Sequence, residues 1–176
     1  MSRNIDELIR NLQKLEDGIH GVLLKTASVM AHDGKSLAER TIKDRGFGAK
    51  YSNNPIPAFY MYGKELNKSG RNYLDNSDEP VNWKGFRQSQ GLQTNHVDLA
   101  YSTRMWKGMR PDDPINEGSF YFCYLGHNDQ EGRNKMNWNF ERYGDFIGKA
   151  LEGQEELLKD VAIENLGNFI EEMLIN

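Results

Sequence analysis

The residues best suited to chemistry are four histidines, one cysteine and several paired carboxylates. His127-Asn128-Asp129, with Asn134 and Asn137 beyond it, has residue types found in metal-dependent nucleases. Such a site needs a second histidine or carboxylate at a suitable spacing, and no histidine follows His127. His20 and His32 do not have the four-residue spacing of a metalloprotease helix. We therefore predict no metal site, and a polar turn between a strand and a helix at residues 127–134.

Other catalytic patterns are also missing from the sequence. Gly46-Phe47-Gly48 has neither a third glycine nor a lysine-plus-hydroxyl ending, so it is neither a dinucleotide fingerprint nor a Walker loop. No serine stands in a nucleophile elbow, and adjacent acids such as Asp112-Asp113 are usually solvated. Cys123 lies in an aromatic run and is expected to be a buried small hydrophobe rather than a reactive thiol. We predict a protein that is not an enzyme, has no catalytic residues and needs no cofactor; an enzyme is the minority alternative.

Charge is unevenly distributed along the 176 residues, whose formal net charge is −4. This balance argues against a whole surface built to hold nucleic acid, which needs clustered bases. A local basic patch comprises Lys35, Arg40, Lys43, Arg45 and Lys50, whereas from Leu151 onward seven acids face one base. The asymmetry fits either an ordinary solvated helix face or an oligomer in which the acidic end of one protomer meets the basic end of its neighbour.

Length and hydropathy bound the class of protein. A chain of 176 residues suits a single domain. No stretch approaches the apolar length of a membrane span, and the first residues do not resemble a signal peptide. We expect a soluble protein made in a cytoplasm, without membrane partners.

Two long helices are predicted at the two ends of the chain. Apolar residues from Ile5 to Val22 recur in steps of three and four, and the pattern continues to Ile42. Residues 4–44 should therefore be helical, in two pieces divided near Gly18, and packed against a sheet. A closing helix at about 152–174 should place Leu158, Ala162, Leu166 and Phe169 on that sheet.

Between these helices we expect a long loop and then strands. Glycines, prolines and polar runs predict irregular structure at 45–80, yet the segment holds Phe47, Tyr51, Phe59, Tyr60, Tyr62 and Tyr73. These aromatics either pack on their own core or contact a partner. Alternation predicts a strand at 97–106, antiparallel to a second at 119–125, with a weaker one at 86–94. The predicted fold is α+β: an antiparallel sheet with a long N-terminal helix, a C-terminal helix and an extended assembly loop.

The order of these elements resembles the phage tail-completion and head-to-tail joining families. Lys84-Gly85-Phe86-Arg87-Gln88-Ser89 is similar to their Thr-Gly-x-Leu-Arg-x-Ser motif, with Phe86 in place of leucine. Tyr124-Leu125-Gly126 and the run from Arg142 to Gly148 are the nearest counterparts of their second motif, an aromatic-led segment ending in Phe-Gly followed by Arg-Pro-Phe-Leu-Gly. Proline is missing after Arg142, and the 45–80 region is longer than the usual loop.

The resemblance implies a structural virion protein that completes the tail or joins head to tail in a neck or tail-terminator ring. Its partners would be copies of itself, expected as a hexamer, and neighbouring neck or tail proteins, with DNA passing through the ring without sequence-specific binding. The predicted interface residues are Phe47, Tyr51, Phe59, Tyr60, Tyr62, Trp83 and Arg87. Assembly would occur in the bacterial cytoplasm. The alternative is a non-enzymatic protein- or nucleic-acid-binding module of a mobile element, acting in the cytoplasm through residues 35–62.

Overall fold

A computed structural model describes residues 5–58, 61–62, 66–77, 80–99 and 104–175. It confirms the α+β class, with long helices at both ends and short antiparallel strands between them. Seven helices and four strands lie in the described ranges. In chain order they are α1 Ile5–Arg45, α2 Lys68–Asn76, α3 Trp83–Ser89, α4 Arg104–Gly108, β1 Met109–Pro111, β2 Ile115–Glu117, β3 Phe120–Phe122, β4 Leu125–His127, α5 Gln130–Tyr143, α6 Phe146–Leu151 and α7 Glu155–Ile175.

The long N-terminal helix is unbroken, so the predicted division near Gly18 is wrong. A mid-helix glycine weakens a helix by about 1 kcal/mol against alanine but does not end it. At Gly18 its lack of a side chain makes room for another helix, since a Cβ there would lie 2.7 Å from Cζ of Phe169. Leu158 also packs against α1, since a Cβ at Gly34 would lie 3.7 Å from its Cδ1 atom, an ordinary contact distance. These contacts place the inner face of α7 against α1, which corrects its predicted packing on a sheet.

Four helices begin with one local device, an Asx residue followed three positions later by glycine. The side chains of Asn67, Asn82, Asp129 and Asp145 each accept a hydrogen bond from that glycine's backbone N–H, at 2.7–2.8 Å. Such caps satisfy a donor that the first helical turn leaves without a partner. The glycine also leaves space for packing, because a Cβ at Gly85 would lie 2.4 Å from Oη of Tyr73.

The strands form two small antiparallel sheets, which confirms antiparallel pairing but corrects the partners. β1 pairs with β4 through Met109↔His127 and Pro111↔Leu125. The β2–β3 hairpin, with Ile115↔Phe122, is inserted between them in sequence. The predicted strand at 119–125 is thus divided between β3 and β4. The predicted strand at 97–106 is wrong where it is described, because 97–99 are irregular and α4 begins at Arg104; residues 100–103 lie outside the described ranges.

Three further predictions are corrected by helices. Residues 86–94 contain the end of α3 rather than a strand. The predicted 45–80 loop contains a helix, because α2 occupies Lys68–Asn76. The predicted polar turn at 127–134 is short: α5 begins at Gln130 and runs to Tyr143.

Two compact units make up the chain. Unit 1 comprises Met1–Glu39 and Met105–Asn176, and unit 2 comprises Arg40–Arg104. In unit 1, Trp106 and Phe146 are fully buried, with ring centroids 6.2 Å apart. The core of unit 2 is built from Met61, Leu74, Val81 and Phe86. The expectation that the whole chain folds as one domain stays a prediction.

Candidate functional site

The seven predicted interface residues do not form one exposed surface. Tyr51 and Arg87 are buried, with 8% and 2% of their surface exposed. Phe47 and Trp83 are half-buried, Tyr62 is exposed, and Phe59 and Tyr60 lie outside the described residues. Tyr51 and Arg87 therefore offer little surface to a partner in this conformation, and their interface role stays a prediction.

Arg87 instead forms the centre of a buried polar cluster in unit 2. Its guanidinium Nη2 donates to Oδ2 of Asp98 at 2.7 Å, and its Nε donates to the carbonyl of Gln93 at 3.2 Å. Gln93 Nε2 and the Tyr51 hydroxyl also donate to the Asp98 carboxylate, at 2.8 and 2.7 Å. The Arg87 guanidinium lies over the Tyr51 ring, 4.5 Å from its centroid. The cluster joins α3 to the irregular segments on both sides of it.

The electrostatics of the cluster favour a neutral phenol beside a charged pair. Burial is the main cause that raises the pKa of Tyr51 above its ordinary value. The hydroxyl therefore keeps its proton and donates it to Asp98, while it accepts from the Asp98 backbone N–H at 3.2 Å. A buried ion pair that is fully hydrogen-bonded resists the loss of either partner. We interpret the cluster as a structural feature that holds α3 against the neighbouring segments, rather than as a reactive centre.

Trp83 and Tyr62 have local partners within unit 2. The Trp83 ring stacks on Phe86 at a centroid distance of 5.5 Å, so it extends the core towards the surface. The Tyr62 hydroxyl donates to Asp75, and this hydrogen bond is the main cause that raises the pKa of Tyr62. Among the predicted interface residues with described side chains, Tyr62 is the one that is exposed.

His127, the strongest chemical candidate in the sequence, is buried at the turn from β4 to α5. A Cβ at Gly108 or Gly132 would lie within 2.1 Å of its Cε1 atom, so both glycines leave room for the imidazole ring. Asp129 caps α5, and its backbone N–H donates to Nδ1 of His127 at 3.1 Å. Within the ranges described, no group of three or more His, Cys, Asp or Glu side chains is placed to hold a metal ion. His127 is positioned as a packing residue of this turn.

Cys123 is half-buried beside β4. Its Sγ donates to the carbonyl of Asp112 at 3.0 Å. Burial raises the pKa of the Cys123 thiol, and Asp112 and Asp113 raise it further. A raised pKa lowers the thiolate fraction at neutral pH, and the thiolate is the reactive form.

Unit 1 carries exposed apolar side chains on two helices. At the start of α1, Ile5 is 72% exposed, and Leu8, Ile9 and Leu12 are about half exposed. On α7, Ile163 is 58% exposed and Ile170 is 40% exposed. The sequence pattern placed Ile5, Leu8 and Leu12 on a core-facing stripe. It gave Phe169 or Ile170 as a packed position of the closing helix, and it did not single out Ile163. The i, i+7 spacing of Ile163 and Ile170, on a different face from Leu158 and Phe169, was the available signal.

Charge divides between the two units more strongly than the net value suggests. Unit 2 contains ten Lys and Arg against six Asp and Glu, a net charge of +4. Unit 1 contains twelve against twenty, a net charge of −8. Each copy therefore offers both a basic and an acidic surface.

No helix in the described part of the chain is both long enough and apolar enough to cross a membrane. No family model, curated protein or solved structure matches the chain.

Proposed function

We propose that the chain is a structural virion protein of a tailed bacteriophage, which completes the tail or joins it to the head as a subunit of a neck or tail-terminator ring. The observation that carries this proposal is the exposed apolar surface on α1 and α7 of unit 1. Large side chains such as Ile5 and Ile163 lose favourable burial when they face water. Several exposed apolar side chains on one helix face can mark a site that a partner covers.

The two segments that resemble the joining families have structural roles, which suits a scaffold protein. Phe86 and Arg87 of the first segment are buried and anchor the core and polar cluster of unit 2. In the second segment, Gly144 ends α5 with φ of 69°, and Asp145 caps α6. Phe146 is then fully buried beside Phe140, with ring centroids 4.7 Å apart. Both segments thus determine how helices begin, end and pack.

The proposed partners follow from the same role. They are further copies of the chain, expected as a hexameric ring, and the neighbouring neck or tail proteins of the virion. DNA would pass through the ring without sequence-specific contacts. The protein would assemble in the bacterial cytoplasm and remain in the virion.

A stop codon early in the gene, in a phage or prophage that carries it, tests this proposal. The expected result is filled heads and unjoined or irregular tails in electron micrographs, with infectivity restored by a plasmid copy. The matched control is the same stop codon in a host that carries a suppressor tRNA, which restores the full-length protein. Normal, infectious virions that lack the protein would overturn the proposal.

A second candidate function has one observation in its favour. Arg40, Lys43, Arg45 and Lys50 are all exposed at the start of unit 2, with Asp44 as the one acid among them. Such a cluster suits a protein- or nucleic-acid-binding module of a mobile element. Salt-sensitive DNA binding by the purified chain, together with normal virions in its absence, would favour this alternative.

A further inference from the structure

We infer that the outer face of α7, defined by Ile163, Gly167 and Ile170, binds the basic segment, residues 40–50, of a second copy of the chain. The inference rests on the proposed function, because it names the contact between neighbouring subunits of the ring. It makes that contact head-to-tail, since the outer face belongs to unit 1 and the basic segment to unit 2.

The outer face is an unpartnered side of a helix whose opposite side is packed. Positions 163, 167 and 170 follow the i, i+4, i+7 spacing of one helix face. Phe169 and Leu158, on the other side, lie against Gly18 and Gly34 of α1. A Cβ at Gly167 would meet no atom within 4 Å, so a notch lies between the two exposed isoleucines. A second helix could approach the α7 backbone closely at this notch.

Acidic side chains lie along one edge of the outer face. Asp160, Glu164 and Glu171 are exposed beside it. Lys159, the one base in the sequence of α7, is 3.2 Å from Glu156. Six acids against one base leave α7 strongly negative. An occupant of this face must therefore combine positive charge with apolar surface.

The basic segment of a second copy meets both requirements. Arg40, Lys43, Arg45 and Lys50 are exposed. Long Lys and Arg side chains cover apolar surface with their methylene stems while their charged ends reach carboxylates. Arg40 and Lys43 are i, i+3 neighbours on the last turns of α1, so they can span the isoleucines from one helix face. Opposite charge on the two surfaces would select this orientation.

The small size of the contact explains why many copies are needed. One helix face against one short segment covers less than the roughly 800 Å² per partner of a standard interface. Each contact alone is therefore weak, but a head-to-tail contact can be repeated from copy to copy until a ring closes. Closure then adds a second contact for the last subunit at high effective concentration.

Charge reversal in the full-length chain tests the inference. The acidic-side variant carries Asp160→Lys and Glu164→Lys, and the basic-side variant carries Arg40→Glu and Arg45→Glu. All four residues are exposed, and circular dichroism verifies folding. By sedimentation velocity, the wild-type chain should associate with rising concentration, with an affinity about tenfold weaker at high salt than at low salt. Each variant alone should stay monomeric, because like charges would meet at its contact.

An equimolar mixture of the two variants should associate again, since each supplies the complement that the other lacks. The matched control for the acidic-side variant, Glu7→Lys with Glu16→Lys, makes the same change in net charge on α1 instead of α7 and should behave as the wild type. Unchanged association of either reversed variant would overturn the inference, as would a mixture that stays monomeric. A wild-type chain that is monomeric up to roughly 1 mM, the weak end of protein affinities, would also overturn it.

Two outcomes separate this contact from other roles. If the basic-side variant loses DNA binding but keeps self-association, the segment serves nucleic acid and the inference fails. If the variants behave as expected but phage without the gene are normal, the contact stands and the proposed virion function fails.

Discussion

Asp98 is the residue on which the interior of unit 2 most depends, because three side chains donate hydrogen bonds to it. Asp98→Ala would leave the Arg87 guanidinium charged and buried without its partner. Breaking a buried pair in this way costs about 3–5 kcal/mol. Urea unfolding followed by tryptophan fluorescence should show that loss in the free energy of unfolding.

Asp75 is the matched control for this substitution. It is a carboxylate that also accepts a hydrogen bond from a tyrosine, Tyr62, but it is exposed. Asp75→Ala should cost less than about 1 kcal/mol, as for other exposed polar pairs. Equal effects at Asp98 and Asp75 would show that the buried cluster does not stabilise the fold.

Tyr51 predicts how stability changes at high pH. The pKa of Tyr51 is raised in the folded chain. The stabilisation of the folded state by the protonated phenol is therefore fully present below the ordinary tyrosine pKa of about 10. Above that pH the unfolded chain loses the phenol proton while the folded chain keeps it, so stability falls as pH rises, by up to about 1.4 kcal/mol per pH unit. Urea unfolding between about pH 9 and pH 11 should show a shallower fall for Tyr51→Phe than for the wild type. Parallel profiles would contradict this assignment.

The contact between helices α1 and α7 depends on Gly18, because a side chain at that position would meet the Phe169 ring. Gly18→Leu would push against the Phe169 ring and should destabilise the chain by about 1–3 kcal/mol. Gly21 lies three residues later in α1, and a Cβ there would meet no atom within 4 Å. Gly21→Leu should therefore be stabilising by about 0.5–1 kcal/mol, because leucine favours a helix over glycine. Thermal unfolding of both variants measures the difference, and a stabilised Gly18→Leu chain would refute the packing.

Helices and strands that depend on a local residue pattern were predicted from the sequence. Those that depend on contacts between distant residues were not. The long helices were predicted because their apolar spacing is sustained over many turns. The strands are only three residues each, too short for a period of two to show. Residues 97–99 alternate between apolar and polar side chains, so Asp98 was predicted to face solvent on a strand. In the structure Asp98 is instead buried and accepts a hydrogen bond from Arg87 on α3. The beginning of helix α5 was predicted as part of a polar turn, because Gly132 and Asn134 have low helix propensity. The Asp129 cap stabilises the helix there.

The candidate site was predicted less well than the fold, for the same reason. Aromatic and basic residue types identified Tyr51 and Arg87 as notable, but the chain alone does not show that they stack on each other. The exposed face of α7 required the three-dimensional placement of Phe169, which determines the packed side of that helix. Periodicity shows which residues share a helix face. Which segment packs against that face depends on contacts between residues that are distant in sequence.

At the scale of the whole molecule, the 45–80 segment is part of the fold rather than a removable loop. A removable loop could be deleted without unfolding the chain, but deleting residues 52–76 would remove Met61 and Leu74 from the core of unit 2. It would also break the hydrogen bond from Ile56 N–H to the Val81 carbonyl. We therefore expect the deletion to abolish the cooperative unfolding transition of unit 2, which calorimetry would measure. Replacing residues 115–122, the exposed β2–β3 hairpin, with two glycines is the control and should preserve that transition. An intact unit 2 transition after the deletion would show that the segment is dispensable.

If copies of the chain associate as inferred above, the unequal charges of the two units would give a row of subunits a direction. Under the head-to-tail contact inferred above, a copy with its basic segment reversed still presents an intact acidic face. Such a copy can join one end of a growing row of normal subunits, but its own reversed segment blocks the next contact. A small fraction of these copies would then interrupt most rows before they close. The defect would be dominant in a cell that makes both forms, and its severity would rise steeply with the number of subunits in the ring.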